Sequence, residues 1–270
     1  MRFAVLFTIL LFAANAEESA IQQRGRKVVE SALDALGGPK FLTMTDRVEV
    51  GRLYSFYHQK VSGATKATLY TRYLPRPEGV KSGFFGQRER QSYSDKKGHE
   101  DHAVVFNELE AFNINFRGAT PIDKPLYDRY RDSTLRNIFY ILRQRRNEPG
   151  MIFEWRETTT LDNLPVDVVD ITDTDNRVVK VFFNMSTHMP VRQIYTRRDL
   201  ESKESIEEVS LFSKYRDAGG GVMWPYNIVR HRSGEKIFEL FSESVKINQP
   251  LKDDLFSLPS GMKVIKTRER

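Results

Sequence analysis

From Met151 to Ile247 the chain passes through seven segments rich in β-branched and aromatic residues, with no stretch between them long enough for a crossover helix. They are Met151 to Thr159, Leu164 to Thr172, Arg177 to Asn184, Pro190 to Arg197, Ser205 to Arg216, Val222 to Arg232 and Glu235 to Ile247. Asp173 to Asn176, Asp199 to Ser202, Gly219 to Gly221 and Ser233-Gly234 supply the turns between several of them. Parallel strands need a connection of a dozen or more residues, so these neighbours must pair antiparallel. Five earlier segments read the same way: Arg47 to His58, Lys66 to Leu74, Gly86 to Ser94, Ala103 to Asn107 and Ala111 to Phe116.

Two amphipathic helices interrupt this pattern. Between Glu18 and Leu36 the apolar residues Ile21, Val28, Val29, Ala32, Leu33 and Leu36 recur three and four apart, and Gly37-Gly38-Pro39 stops the helix. From about Lys124 to Arg146 a second helix is expected, with Leu135, Ile138, Phe139 and Leu142 as its apolar stripe. Arg143, Arg145 and Arg146 sit at its C-terminal end, where the macrodipole favours cations. Several strands carry large side chains on both faces, as in Leu53 and Tyr57 against Tyr54 and Phe56. Such a sheet must be covered twice or curl. Two helices cannot pave a flat sheet of this size. The expected fold is mainly β (α+β), a strongly curved antiparallel sheet forming an incomplete β-barrel with the two helices on its concave face.

Such a shell encloses space. Leu135, Ile138, Phe139 and Leu142 on the second helix, Phe153 and Trp155 on the strand after it, and Val179, Val181 and Phe183 are the expected wall of an apolar cavity. The alternative is that these side chains fill the shell themselves, which would make the chain a non-catalytic structural or interaction domain.

The N-terminus reads as an address. Met1-Arg2 precedes the apolar run Phe3 to Ala14, and Ala14-Asn15-Ala16 places small residues before Glu17. That is a secretory signal peptide cleaved after Ala16, because a spanning helix needs about 20 apolar residues. The expected organisation is a signal peptide at 1–16, one domain at 17–259 and a flexible basic tail at 260–270. A content of 29% charged residues excludes a polytopic membrane protein, and 18 Phe with 11 Tyr excludes a disordered chain. The absence of cysteine excludes disulfides, a thiol nucleophile, thiolate metal sites and acylation at cysteine.

Catalytic and metal patterns find no support. There is no G-x-S-x-G elbow, Walker loop or dinucleotide fingerprint. In Gly98-His-Glu-Asp-His102 the imidazoles are three apart rather than four, in a polar turn. Asp170, Asp173 and Asp175 lack the glycine and glutamate of a calcium loop. The net charge of +6 is interspersed with acids rather than gathered in a stripe, so nucleic acid is not an expected partner. No enzyme activity and no cofactor or metal are expected.

The C-terminal half carries a more specific likeness. Met189-Pro-Val-Arg-Gln-Ile-Tyr195, Phe212-Ser-Lys-Tyr-Arg-Asp217, Gly221-Val-Met-Trp-Pro225, Val245 to Pro250 and Asp254-Leu-Phe-Ser-Leu-Pro259 follow one another in order. In this the chain resembles the LolA-like family of outer-membrane lipoprotein-sorting proteins, over about Lys40 to Pro259. The resemblance implies a half-barrel capped by helices and a soluble periplasmic carrier. It further implies lipid or lipoprotein acyl chains as ligand, and inner- and outer-membrane lipoprotein machinery as partners. Tyr73 to Phe85 and Ala119 to Pro125 are expected as extra loops, and the family's lid arginine has no assigned position in this sequence.

Overall fold

The computed structural model describes residues 18–80, 82–199 and 202–265; the expected signal peptide and residues 266–270 of the expected tail lie outside the described residues. Thirteen strands form one sheet: β1 Asp46–Tyr57, β2 Lys60–Tyr73, β3 Gln87–Ser94, β4 Glu100–Phe106, β5 Ala111–Asn115, β6 Gly118–Pro121, β7 Ile152–Leu161, β8 Leu164–Thr172, β9 Val178–Asn184, β10 Pro190–Arg198, β11 Ser205–Asp217, β12 Met223–Arg232 and β13 Glu235–Ile247. Every pairing between these thirteen strands is antiparallel. The sheet does not close, so the architecture is the expected incomplete barrel. Register shifts at Val50/Gly51, Tyr93/Ser94, Trp155/Glu157 and Arg230/His231 bend the strands where they occur. At Gly51 a Cβ would lie 2.3 Å from the Phe241 carbonyl oxygen, so no larger residue fits that bend.

The strand order is β6-β5-β4-β3-β2-β1-β13-β12-β11-β10-β9-β8-β7. Consecutive strands are neighbours throughout, with one exception: β6 and β7 form the two opposite edges. The chain from 122 to 151 must therefore cross from one edge to the other, and it carries α3 Lys124–Leu135, α4 Ile138–Tyr140 and a π-helical turn Ile141–Arg145. Here the structure corrects the expectation of one continuous helix to Arg146. At Asn137 the backbone is extended (ψ 127°), and its side chain accepts hydrogen bonds from the Phe139 and Tyr140 N–H groups at 3.0 and 3.4 Å. Gln193 on β10 accepts from the Ile138 N–H at 2.9 Å. Between them, Asn137 and Gln193 satisfy the donors that a new helix start exposes.

The helices share the concave face. α1 Ala20–Ala35 starts at a capping box formed by Ser19 and Gln22. It lies so close to β7 that a Cβ on Gly25 would sit 2.4 Å from the Phe153 carbonyl oxygen. Its residues Val29, Ala32, Leu33 and Leu36 join Ile138, Phe139, Ile141 and Leu142 in one buried cluster with Phe153, Val169, Ile171, Val179, Val181 and Phe183. At the other edge α3 packs Tyr127 and Tyr130 on Phe106 and Ala111. The five-residue α2 Pro39–Thr43, which starts at the proline of the expected Gly-Gly-Pro stop, inserts Phe41 into the main cluster. Proline fits its first turn because its missing N–H is not needed there.

The expected loop from Ala119 includes most of β6 instead. The C-terminal segment runs over the convex face, where Phe256 is buried and Leu258 and Met262 cover Ala103, Val105, Phe112, Ile114 and Ala119. Residues 263–265 then pair with the β6 edge, Ala119 donating to Lys263 at 2.9 Å and Ile265 donating to Ala119 at 2.8 Å. An edge strand that would template aggregation is thereby paired.

Candidate functional site

Between the crossover and strands β1–β3 and β10–β13 lies a hollow of about 360 Å³. Its aromatic wall comes from both sides. Phe139 on α4 meets Phe212 edge-on at 5.0 Å and Trp224 at 4.8 Å between ring centroids, with Ile228 beside them on β12. Phe139 reaches this wall because the break at Asn137 restarts the helix above β11 and β12.

The inner end is buried and polar. The Arg47 guanidinium lies 4.0 Å over the Trp224 ring, donates to Tyr73 Oη at 3.2 Å and Thr71 Oγ1 at 3.1 Å, and stands 3.4 Å from Glu49. Burial works against its charge, but the coulombic pull of Tyr73, Glu49 and Glu89 outweighs this and raises its pKa above the ordinary value. Burial likewise pushes the Glu49 carboxyl up, opposed by Arg47 and by Ser242, whose hydroxyl donates at 2.5 Å. Glu89 accepts from the Gln87 and Gln91 amides at 3.2 and 2.5 Å. Tyr130, stacked on Phe106 at 3.7 Å, is held well above the usual phenol range by burial and then by Glu89. It stays a neutral hydrogen-bonding group.

The open end carries the charge. Arg129 on α3, Arg197 on β10 and Arg230 and Arg232 on β12 line it, with Glu208 on β11 and Asp132 on α3. Glu208 lies between Arg197 at 2.9 Å and Arg232 at 3.1 Å. Asp132 pairs with Arg136 and stands 3.7 Å from Arg177. A second, shallower depression contains Arg76, Arg143 and Arg146, but each guanidinium is already engaged, by Glu148, the Met44 carbonyl and Glu30 respectively.

Of the expected wall residues, Phe139 lines the hollow. Ile138, Leu142, Phe153, Val179, Val181 and Phe183 pack against one another and α1 in the main cluster, and Leu135 packs with Phe85 and Tyr140. Trp155 is half-buried beneath the Arg24 guanidinium at 3.5 Å, its indole N–H donating to Asp167 at 2.9 Å. The hollow therefore lies further along the sheet than the sequence suggested, and its lining mixes aromatic with charged groups rather than being apolar. Strand alternation could have found part of it: Arg47 and Glu49, Gln87 and Glu89, and Tyr195 and Arg197 share a face in pairs. Those pairs read as solvent-facing until a second layer covers them. The histidine motif stays at the rim of β4, where His99 stands beside Asp95 and His102 stacks on Tyr93 at 4.5 Å.

No family model matches the sequence, and no curated protein matches it. Solved structures do. A domain named for outer-membrane lipoprotein sorting, from Vibrio parahaemolyticus, superposes with a TM-score of 0.56 at 10% identity, over 87% of this chain and 97% of that one. The chain has the LolA-like fold. A LolA superfamily protein from Nitrosomonas europaea superposes with a TM-score of 0.50 at 13% identity, over 86% of this chain and 97% of the other. A DUF1329 family protein from Desulfovibrio piger gives 0.52 at 11% identity, over 88% and 98%. In all three superpositions the likeness spans 86–88% of this chain. At these identities it concerns the fold.

Proposed function

We propose that this chain is an exported carrier without chemistry of its own, holding the acyl chain of a lipid or lipoprotein in the hollow beneath the crossover. In this reading Met1–Ala16 directs export and is removed after Ala16, and Glu17 to Pro259 works in the periplasm, in lipoprotein sorting or related lipid transport. The observation that carries the reading is the aromatic wall of Phe139, Phe212 and Trp224 facing a hollow within a LolA-like half-barrel. Each CH₂ buried there contributes about 0.8 kcal/mol. The open end lined by Arg129, Arg197, Arg230 and Arg232 is the way in for the chain. Native mass spectrometry of the protein purified from the exported compartment, followed by lipid extraction, tests this. A bound, extractable lipid is expected; no bound mass together with no uptake of the neutral apolar fluorophore N-phenylnaphthylamine would sink it.

One observation favours a second reading, an interaction domain with a solid core. Seven of the nine expected wall residues are buried in packed clusters and do not themselves line the hollow. Failure of both lipid measurements would leave that reading standing.

A further inference from the structure

We propose that the hollow takes an amphiphile with an anionic headgroup, phosphate or carboxylate, which docks on Arg129 and Arg230 while its acyl chain runs inward over Ile228, Phe212 and Phe139. This rests on the carrier reading and adds the ligand class.

Charge accounting within the hollow is the first ground. Five arginines line it against three carboxylates, Glu89, Asp132 and Glu208. All three carboxylates are engaged by groups already described. Arg47 is committed at the inner end to Glu49, Tyr73 and Thr71. Arg197 and Arg232 share Glu208, and Arg197 also stands 3.7 Å from Asp199. Among the described residues Arg129 has no hydrogen bond or ion pair, and Arg230 has only the face of Phe238 at 5.1 Å. The open end therefore holds two guanidiniums without an anion. Guanidinium presents paired N–H donors that match the oxygens of phosphate and carboxylate.

The second ground is a polarity gradient shared by three adjacent strands. Along β12 one face runs from Trp224 through Ile228 to Arg230 and Arg232. The antiparallel β11 runs from Phe212 through Ser210 to Glu208, with Phe212 opposite Ile228 and Glu208 opposite Arg232. On β10 the same face runs from Gln193 through Tyr195 to Arg197, with Tyr195 opposite Glu208. All three pass from uncharged to charged in one direction, toward the open end. A chain-and-headgroup molecule has that shape. Tyr93 and Tyr195, both within the electrostatic reach of Arg230, stay protonated: burial pushes Tyr93 up to about 12 and raises Tyr195. They add no competing negative charge. The volume of about 360 Å³ is at the lower end for ligand pockets, which makes single-chain lipids the natural probes.

The test uses two lipids with the same tail, oleoyl lysophosphatidic acid and monooleoylglycerol, each displacing N-phenylnaphthylamine from the full mature chain below its micelle concentration. Lysophosphatidic acid should displace the fluorophore at a concentration about tenfold lower or more. In Arg129→Gln/Arg230→Gln that advantage should vanish while monooleoylglycerol is unchanged. Both positions are partly or wholly exposed, so an unchanged denaturation midpoint serves as the folding control, and the single variants are used if the pair fails it. Inorganic phosphate alone should displace nothing. Equal displacement by the two lipids overturns the headgroup site and leaves the carrier reading intact. Displacement by neither fails the carrier reading itself. Thermal stabilisation by inorganic phosphate, with neither lipid binding, would make this a free-phosphate site and overturn the amphiphile.

Discussion

Arg145 on the π-helical turn and Asp173 at the β8–β9 turn are joined by a 2.9 Å hydrogen bond between side chains that are 1% and 4% exposed. Arg145 also donates to Glu148 at 3.0 Å and to the Leu135 carbonyl at 2.7 Å. The crossover is thus anchored to the sheet at the end nearest β7, while α3 toward β6 is not bound this way. Removing one member of a buried pair strands the other, so Arg145→Met should destabilise by about 3–5 kcal/mol. Denaturant unfolding of the variant checks it.

The same anchor is sensitive to acid. Burial acts to raise the Asp173 carboxyl, but Arg145 and the Arg177 side chain and backbone outweigh it and hold it below the ordinary range. A depressed pKa stabilises the fold above the unfolded carboxylate value near about 3.9, and this is lost as pH falls through the folded value. The stability gap between wild type and Asp173→Asn should therefore be widest near about pH 6 and shrink toward about pH 2. A gap that does not change over that range contradicts the assignment.

Gly25 separates two opposite expectations. In an exposed helix Gly→Ala gains up to about 1 kcal/mol from propensity. Here the new methyl would meet backbone of β7, which cannot rotate away. Gly25→Ala should instead cost about 1–3 kcal/mol, as overpacking does. A higher melting temperature for the variant would mean that α1 is less tightly seated than the geometry indicates.

Most of the sheet was legible because turn residues mark its strands and the short connections leave antiparallel pairing as the only option. The pairing of β1 with β13 was not legible, since it joins Arg47 to Ile247 and no local signal specifies so distant a partner. Helix boundaries were legible in part. Ser19-Ala-Ile-Gln22 is a capping-box pattern, and Asn137 ahead of Ile-Phe-Tyr is an N-cap signal, but the apolar stripe from Leu135 to Leu142 hides the break. The site was the least legible part. Its apolar stripe identified Phe139, yet Arg47, Glu89, Arg129 and Arg230 look like ordinary surface charge until α3 is laid across the sheet.

The proposed export rests on residues outside those described. A charge at the centre of a short apolar run costs about 2.5–3.5 kcal/mol on insertion scales. Leu10→Arg should leave the chain unprocessed in the cytoplasm, which fractionation and N-terminal sequencing would detect. Cleavage after Ala16 in the variant would refute the signal-peptide reading.

Phe139 and Phe153 offer the sharpest contrast between wall and core. Both are buried, at 4% and 1% exposure, but Phe139 borders the hollow whereas Phe153 is enclosed by α1, Val169 and Ile171. Phe153→Ala opens a void in a packed region and should cost about 3–5 kcal/mol. It should leave fluorophore uptake by the folded fraction unchanged. Phe139→Ala removes fewer contacts, because one side of the ring already faces open space, so its stability loss should be smaller. Its N-phenylnaphthylamine affinity should fall, since the edge-on contact with Phe212 and the tilted contact with Trp224 are what close the aromatic wall. Trp155→Ala, beneath Arg24 and away from the hollow, serves as the aromatic control and should change stability without changing uptake. Denaturation midpoints and fluorophore titrations of the three variants decide the matter. Equal losses of stability for Phe139 and Phe153, with uptake unaffected in both, would place Phe139 in a filled core and remove the wall on which the carrier reading rests.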